Sequence, residues 1–500
     1  MRLAVLTANR TPVAGHRPWP RFAVTEDIWR AAGEKLAAGD LTLFGLWGDA
    51  VCVHLALLDE PARGIAILSL DCPGGRFPSV GALHPPAIRL ERAIQDLFGF
   101  EAVGAPDPRP WLDHGRWDAR APLGRPRDDV RRGTYAFLPV EGEGLHQIPV
   151  GPVHAGIIEP GHFRFTANGD TVVRLEERLG YVHKGIEGLM AGADLERGAR
   201  LAGRTSGDSS VAYAFAFARA AEAALDIEAP PRAQTLRGLM AELERLANHF
   251  GDIGAICNDA AFVLMHAHCA VLRERVLRAS DACFGHRLMR DVIVPGGVLR
   301  DIDTPSAAQL RKQTRDWRRR FRALVELYDR ATSLEDRTVA TGVLKPELAR
   351  QFGAGGFVGR ASGRAFDVRT IFPYPPYNHI ALEPALLKQG DVDARVRIRI
   401  REAERSLDLI ERFLDDLPQG PLSVAITPRS GEGVGLVEGF RGDILIWLRL
   451  DASGAIERCH LRDPSWFQWP LLEAAIEGNI VGDFPLCNKS FNCSYSGHDL

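Results

Sequence analysis

Three short segments hold side chains able to carry protons or fixed charge. In Gly151-Pro-Val-His154-Ala-Gly156 a histidine stands in a loop bounded by glycine and proline. From such a loop an imidazole can reach into a cavity and exchange a proton near neutral pH. In Leu179-Gly-Tyr-Val-His-Lys-Gly-Ile-Glu187 the spacing puts His183 and Glu187 four apart, on one face if the segment is helical, with Lys184 beside them. The segment 200–210 carries Arg200, Arg204, Asp208 and several hydroxyls just ahead of an apolar run, where Ser206 or Asp208 could cap a helix. Each segment also has a plainer reading: a histidine bonded to its own loop, a polar helix face, a helix cap.

No two of the eight cysteines, at 52, 72, 257, 269, 283, 459, 487 and 493, form a Cys-x-x-Cys pair. Zinc and iron–sulfur sites normally draw ligands from such spacings, because one turn must present two thiolates to one ion. The eight are read as small buried residues or free thiols of a reducing compartment, and no metal ligand is assigned. The glycine-rich run 431–439 invites a phosphate-binding reading. A dinucleotide loop needs its glycines between a strand and a helix. Here they precede a strand pattern at 440–450, so turns are expected.

The elements that must position these residues form an α+β chain. Its 500 residues allow several domains. A small N-terminal α+β domain, 1–103, has helical spacing at 27–38 and 87–98 around strand patterns at 43–49, 51–58 and 64–71. A Pro/Arg-rich linker or arm, 104–145, follows; its prolines at 106, 108, 110, 122 and 126 forbid a helix or a central strand. The domain 146–500 is mainly a helical bundle with peripheral β-strands. A hairpin at 162–175 turns on Asn168-Gly169, and amphipathic helices are expected at 211–225, 232–251, 260–285, 307–334 and 392–415. The tail returns to strands, 443–450 being the clearest.

Charge and hydropathy narrow the classes. Lys+Arg 61 against Asp+Glu 64 leaves −3, which gives no global electrostatic case for nucleic acid. No apolar run of about 18 residues is free of charge, and the first twenty residues lack a signal-type apolar core. A cytoplasmic chain is expected.

Taken together and in order, several segments resemble one superfamily. They are 148–162, 180–187, 200–213, 220–222, 231–237, 241–249, Pro295-Gly-Gly-Val298, 391–404 and 490–500. The superfamily is that of nickel–iron hydrogenase large subunits and the 49-kDa subunit of respiratory complex I, most like the hydrogenase-4 and formate hydrogenlyase type. Phe77-Pro-Ser-Val80, the run 91–99 and the arm with Arg109 and Trp111 resemble the 30-kDa subunit of complex I. Fusion of the two types is a feature of complex-I-related hydrogenases. Laid on this chain, the two Cys-x-x-Cys pairs that hold nickel and iron in active hydrogenases fall at Ala202 and Thr205, and at Ser465 and Gln468. Alanine has no donor atom, and neutral oxygen ligands are poor substitutes for soft thiolates.

The resemblance implies a subunit of a membrane-bound, complex-I-like oxidoreductase (NADH dehydrogenase- or hydrogenase-4-like) without its own nickel–iron centre. It would form the cavity where electrons leave a neighbour's iron–sulfur cluster for an acceptor, quinone being expected. His154 matches the quinone-contacting loop histidine, while the position of that family's tyrosine falls at Gly203 and its cluster-proximal arginine at Lys184. In this reading His154 donates a proton, and Glu187 and Asp208 relay protons. His183, Lys184 and Arg200 supply positive charge on the cofactor side. The chain alone binds no cofactor, and NAD enters only through other subunits. The implied partners are an iron–sulfur small subunit, membrane-embedded antiporter-like subunits and quinone, with the chain peripheral on the inner face of the cell membrane. The rival readings are an active hydrogenase with atypical ligands and a non-catalytic scaffold. The alternation in 479–500 suits a tail packed on the core, so the chain is expected to keep Leu500.

Overall fold

The computed structural model describes residues 2–8, 10–125, 134–156 and 158–500. The part of the expected arm at 126–133, with Pro126, lies outside the described residues.

The N-terminal apolar runs fold as a four-stranded sheet. Its order is Arg21–Val24, Gly64–Asp71, Cys52–Asp59 and Thr42–Gly48; the first pair is parallel and the others antiparallel. Helices Glu26–Ala37 and Ile88–Phe98 accompany it, and the Trp29 indole donates to Pro78 O at 2.9 Å. Every residue of Cys52–Asp59 is buried, so both faces of this sheet are covered. The second cover is the C-terminal sheet: Trp47 stacks on His460 at 4.9 Å, and Arg462 donates to Phe44 O. The arm beyond Val103 is irregular, as its prolines require, yet it is pinned. One Asp96 oxygen accepts the successive amides of Trp111, Leu112 and Asp113.

The larger region is helical, with long helices Ser210–Leu225, Pro231–Asp259, Val263–Phe284, Thr304–Asp329 and Val392–Asp415. The second runs past its expected end because Ile253 and Ile256 prolong the buried stripe. A three-stranded sheet, Leu145–Val150, His162–Asn168 and Thr171–Arg178, contains the expected hairpin. A four-stranded sheet joins His16–Arg17 to Gly431–Gly439, Gly442–Leu450 and Ile456–Arg462.

The glycine run 431–439 is itself a strand, not a set of turns. Gly431, Gly433 and Gly435 face Ala224, Ala220 and Ala216 of the helix Ser210–Leu225, so closely that a Cβ would overlap the helix carbonyls. Glycine lets strand and helix backbones touch, and no phosphate loop exists there. The tail is buried as expected, but as short helices Phe484–Phe491 and Tyr495–Asp499.

Candidate functional site

The loop 151–161 leaves the strand Leu145–Val150 at Gly151, whose φ of 78° suits glycine. His154 is half-buried and its Nε2 bonds Gly161 O at 2.7 Å. Across the loop the ring of Tyr495 presses on Gly161, leaving no room there for a Cβ. Beyond Ile158 and Glu159 of the same loop opens a cavity of about 450 Å³, closed on its other sides by the turn 206–208 and the tail 485–496.

Charge is concentrated in this cavity. Asp208 is forked by Arg441 at 2.5 and 2.7 Å and accepts from Ser206 Oγ at 2.8 Å. Burial opposes its ionisation, but Arg441 and Ser206 outweigh burial and hold the carboxyl below its ordinary range. Ser206 Oγ meets Ser494 Oγ at 3.0 Å, and Glu159 accepts the Ser496 amide. Asp259 shares the wall with Lys489; burial raises that carboxyl and Lys489 partly offsets the effect. The buried Tyr495 hydroxyl lacks a hydrogen-bond partner of good geometry among the described residues.

Asp208 does not cap the helix that follows. The N-cap is Ser209, without a side-chain bond, and the helix amides of Val211 and Ala212 are taken by Glu244 from the neighbouring helix. Arg441 has claimed Asp208 instead.

The second motif is not one helix. Gly185, at φ 67°, starts a short helix Ile186–Met190, so His183 and Glu187 do not share a helical face. His183 Nδ1 donates to Asp499 O at 2.7 Å and its ring lies 4.9 Å from that of Trp117. Lys184 Nζ donates to Thr205 O at 2.7 Å. These two residues, with Trp117 and Leu123 of the arm, border a different cavity of about 540 Å³. Behind it the Glu187 carboxylate accepts from Arg458, His460 and the Leu461 amide at 2.7–2.9 Å. Burial opposes that charge, yet Arg458 and His460 prevail and bring the carboxyl down to about 2. Arg200 lies on the exposed side of the helix Leu195–Ala202, paired with Glu196, and lines neither cavity.

The structure therefore divides the six predicted residues. Asp208 and the His154 loop belong to the polar cavity, His183, Lys184 and Glu187 to the other, and Arg200 to the surface. Sequence reasoning missed Arg441, Asp259, Lys489 and Glu244. Lys489 and Asp259 carried no motif, and Arg441 sits in the two-residue turn after the glycine strand.

The donor set does not fit a nickel–iron centre. Ala202 is buried without a donor, and the buried Thr205 hydroxyl has no hydrogen-bond partner among the described residues. Ser465 Oγ accepts the Ser494 amide, and the Gln468 amide group donates to the carbonyls of Gly355 and Arg441. The donors present are neutral oxygens and nitrogens, those of Ser465 and Gln468 already committed to backbone, where soft thiolates would be needed. Among the described residues no group of three His, Cys, Asp or Glu is placed to hold an ion.

Comparison with known proteins agrees with this architecture. Residues 42–129 match the family model "Respiratory-chain NADH dehydrogenase, 30 Kd subunit", and 259–429 match that of the 49 Kd subunit. Formate hydrogenlyase subunit 5 of Escherichia coli (strain K12) is 32% identical over 450 residues, covering 86% of this chain and 78% of its own. Hydrogenase-4 component G of the same organism is 31% identical, covering 89% and 80%. A chain of the membrane-bound sulfane sulfur reductase, an archaeal respiratory membrane complex, superposes with TM-score 0.68 and 26% identity over 73% of this chain and all of that one. The chain thus belongs to the family of fused 30-kDa- and 49-kDa-type oxidoreductase subunits found in complex-I-like and membrane-bound hydrogenase complexes.

Proposed function

We propose that this chain forms the electron-acceptor cavity of a membrane-bound, complex-I-like oxidoreductase, with quinone as the acceptor. Electrons come from an iron–sulfur cluster in a small partner subunit, since this chain has no cysteine spacing for a cluster of its own. Membrane-embedded partners hold the assembly on the inner face of the membrane, a reading supported by the membrane-bound complexes of its relatives; among the described residues no helix is long and apolar enough to cross a membrane. The observation that carries the reading is the polar cavity between the His154 loop and Asp208, whose lining residue Ser494 is bonded through its amide to Ser465, one of the positions where the family resemblance places a hydrogenase thiolate.

His154 and Asp208 handle protons at this cavity, and Arg441 fixes Asp208 in place. Lys184, with His183 beside it, adds positive charge on the side of the cluster-bearing partner, where it favours the reduced cluster. Glu187, held ionised, acts as a fixed anchor for Arg458 and His460 rather than as a relay. Turnover of a short-chain quinone by the purified complex tests this. Activity without stoichiometric nickel is expected; nickel bound to this subunit, with hydrogen turnover and no quinone reduction, would overturn it.

A further inference from the structure

We propose that Glu244 is the proton-loading carboxyl of this subunit, drawing protons from solvent through a second cavity and passing them by way of Asp208 to the reduced acceptor. The proposal rests on the acceptor-cavity reading above.

The geometry comes first. A cavity of about 290 Å³ lies on the far side of the turn 206–208 from the acceptor cavity, and both are lined by Gly207, Asp208 and Arg273. The two cavities thus share one wall. The outer rim carries Arg287, whose side chain is 52% exposed. At about 30 Å³ per molecule the cavity has room for several waters. Glu244 lines it, and the Asn248 side-chain amide donates to both Asp208 O, at 2.7 Å, and Glu244 O, at 2.9 Å.

The chemistry of Glu244 differs from that of its neighbours. Its carboxyl accepts two amides, Val211 at 2.6 Å and Ala212 at 3.0 Å, and among the described residues it forms no ion pair. Asp208, in contrast, is locked to Arg441. The charged groups facing Glu244 are Asp208 from the turn, which opposes its ionisation, and Arg245 from its own helix, which favours it only weakly. Arg245 spends its guanidinium on the carbonyls of Glu438 and Gly439. Arg273 and Arg287 line the same cavity. Burial outweighs the two amide bonds and pushes the Glu244 carboxyl up to about 8. It can therefore gain and lose a proton under working conditions, whereas Asp208, held low by Arg441 and Ser206, rests as a carboxylate and takes up a proton only in transit.

The step balances as follows. A quinone takes two electrons from the partner's cluster and two protons to become a quinol. For each proton, protonated Glu244 releases H⁺ through cavity water, and the Asp208 carboxylate passes it into the acceptor cavity. Glu244 is left as a carboxylate and is reprotonated from solvent past Arg287.

Glu244→Gln removes the proton and keeps one oxygen to accept an amide, but it sets an NH2 group against the other, because Val211 N–H and Ala212 N–H bond different oxygens of the carboxylate. In the assembled complex with a short-chain quinone, kcat should fall ~100-fold, the scale of a lost proton-transfer group, with KM unchanged. Glu244→Asp should restore part of the loss. Wild-type turnover should decline as pH rises through about 8, where Glu244 loses its proton, and this limb should vanish in the glutamine variant. Infrared difference spectra should contain a protonated-carboxyl band that titrates in the same range and disappears in the variant. A glutamine variant with wild-type kcat and pH profile overturns the proposal while leaving the acceptor reading intact. A wild-type complex inert toward quinone overturns both. If the variant fails to assemble, the wild-type infrared titration decides alone, and the absence of a titrating carboxyl band overturns the proposal.

Discussion

Two cavities flank the buried tail 494–500, and they use the same residue types in opposite ways. On the Trp117 side, His183 and Lys184 spend their polar atoms on main-chain carbonyls of Asp499 and Thr205. Glu187 is consumed by Arg458 and His460. On the Asp208 side, ionisable groups from six separate stretches face one space: Glu159, Asp208, Asp259, Arg273, Arg441 and Lys489. The first cavity is built around fastening and the second around exchange. A motif of charged residues thus says little until one knows whether its polar atoms are already spoken for.

The sharpest way to test the fastening role is to break it. Arg458→Met would leave Glu187 as a buried, half-paired charge, and such losses cost about 3–5 kcal/mol. Chemical denaturation of the complex should record a fall of that order. The pH dependence has a defined sign. Because the folded carboxyl is depressed to about 2 against an ordinary value of about 4.3, its stabilisation is present above about 4.3 and lost as pH falls toward 2. The wild type's advantage over Glu187→Gln should therefore shrink across that window, and a constant advantage would mean that the charge is not what Glu187 contributes.

Next in size is the contrast in turnover. His154→Ala and Asp208→Asn should each cut quinone reduction ~100-fold, as expected for loss of a proton-transfer group. His183→Ala should cost less than Asp208→Asn, because its ring holds the tail and faces the other cavity. Equal losses at His183 and Asp208 would erase the distinction. The smallest effect is expected at Lys184→Met. It should lower the potential of the adjacent cluster, read by redox titration, while leaving KM for quinone unchanged.

Much of the fold was readable because it rests on local pattern. The stripe through Leu236, Leu239, Leu243 and Leu246 marks its helix, and Asn168-Gly169 marks its hairpin. What escaped depends on distant partners. The glycines at 431, 433 and 435 look like turn residues until the alanine-rich helix that presses on them is known. Asp208 looks like a cap until Arg441, 233 residues away, takes it. The shared face of His183 and Glu187 is conditional on a helix through 179–187, and Gly185, in the left-handed region, is the local residue that breaks it. Of the candidate site, His154 is singled out by its loop and Asp208 as a possible cap, and their proton roles come from the family resemblance. Arg441, Asp259, Lys489 and Glu244 belong to it only through tertiary packing.

The claim that the Asp208 cavity, and not the Trp117 cavity, receives the acceptor is tested most directly by photolabelling. A short-chain azidoquinone would be activated on the purified complex and the modified peptides mapped, with excess unlabelled quinone as competitor. Competed label should fall on 158–159, 206–208 and 485–496. Competed label on 116–123 and 183–188 instead would contradict the assignment.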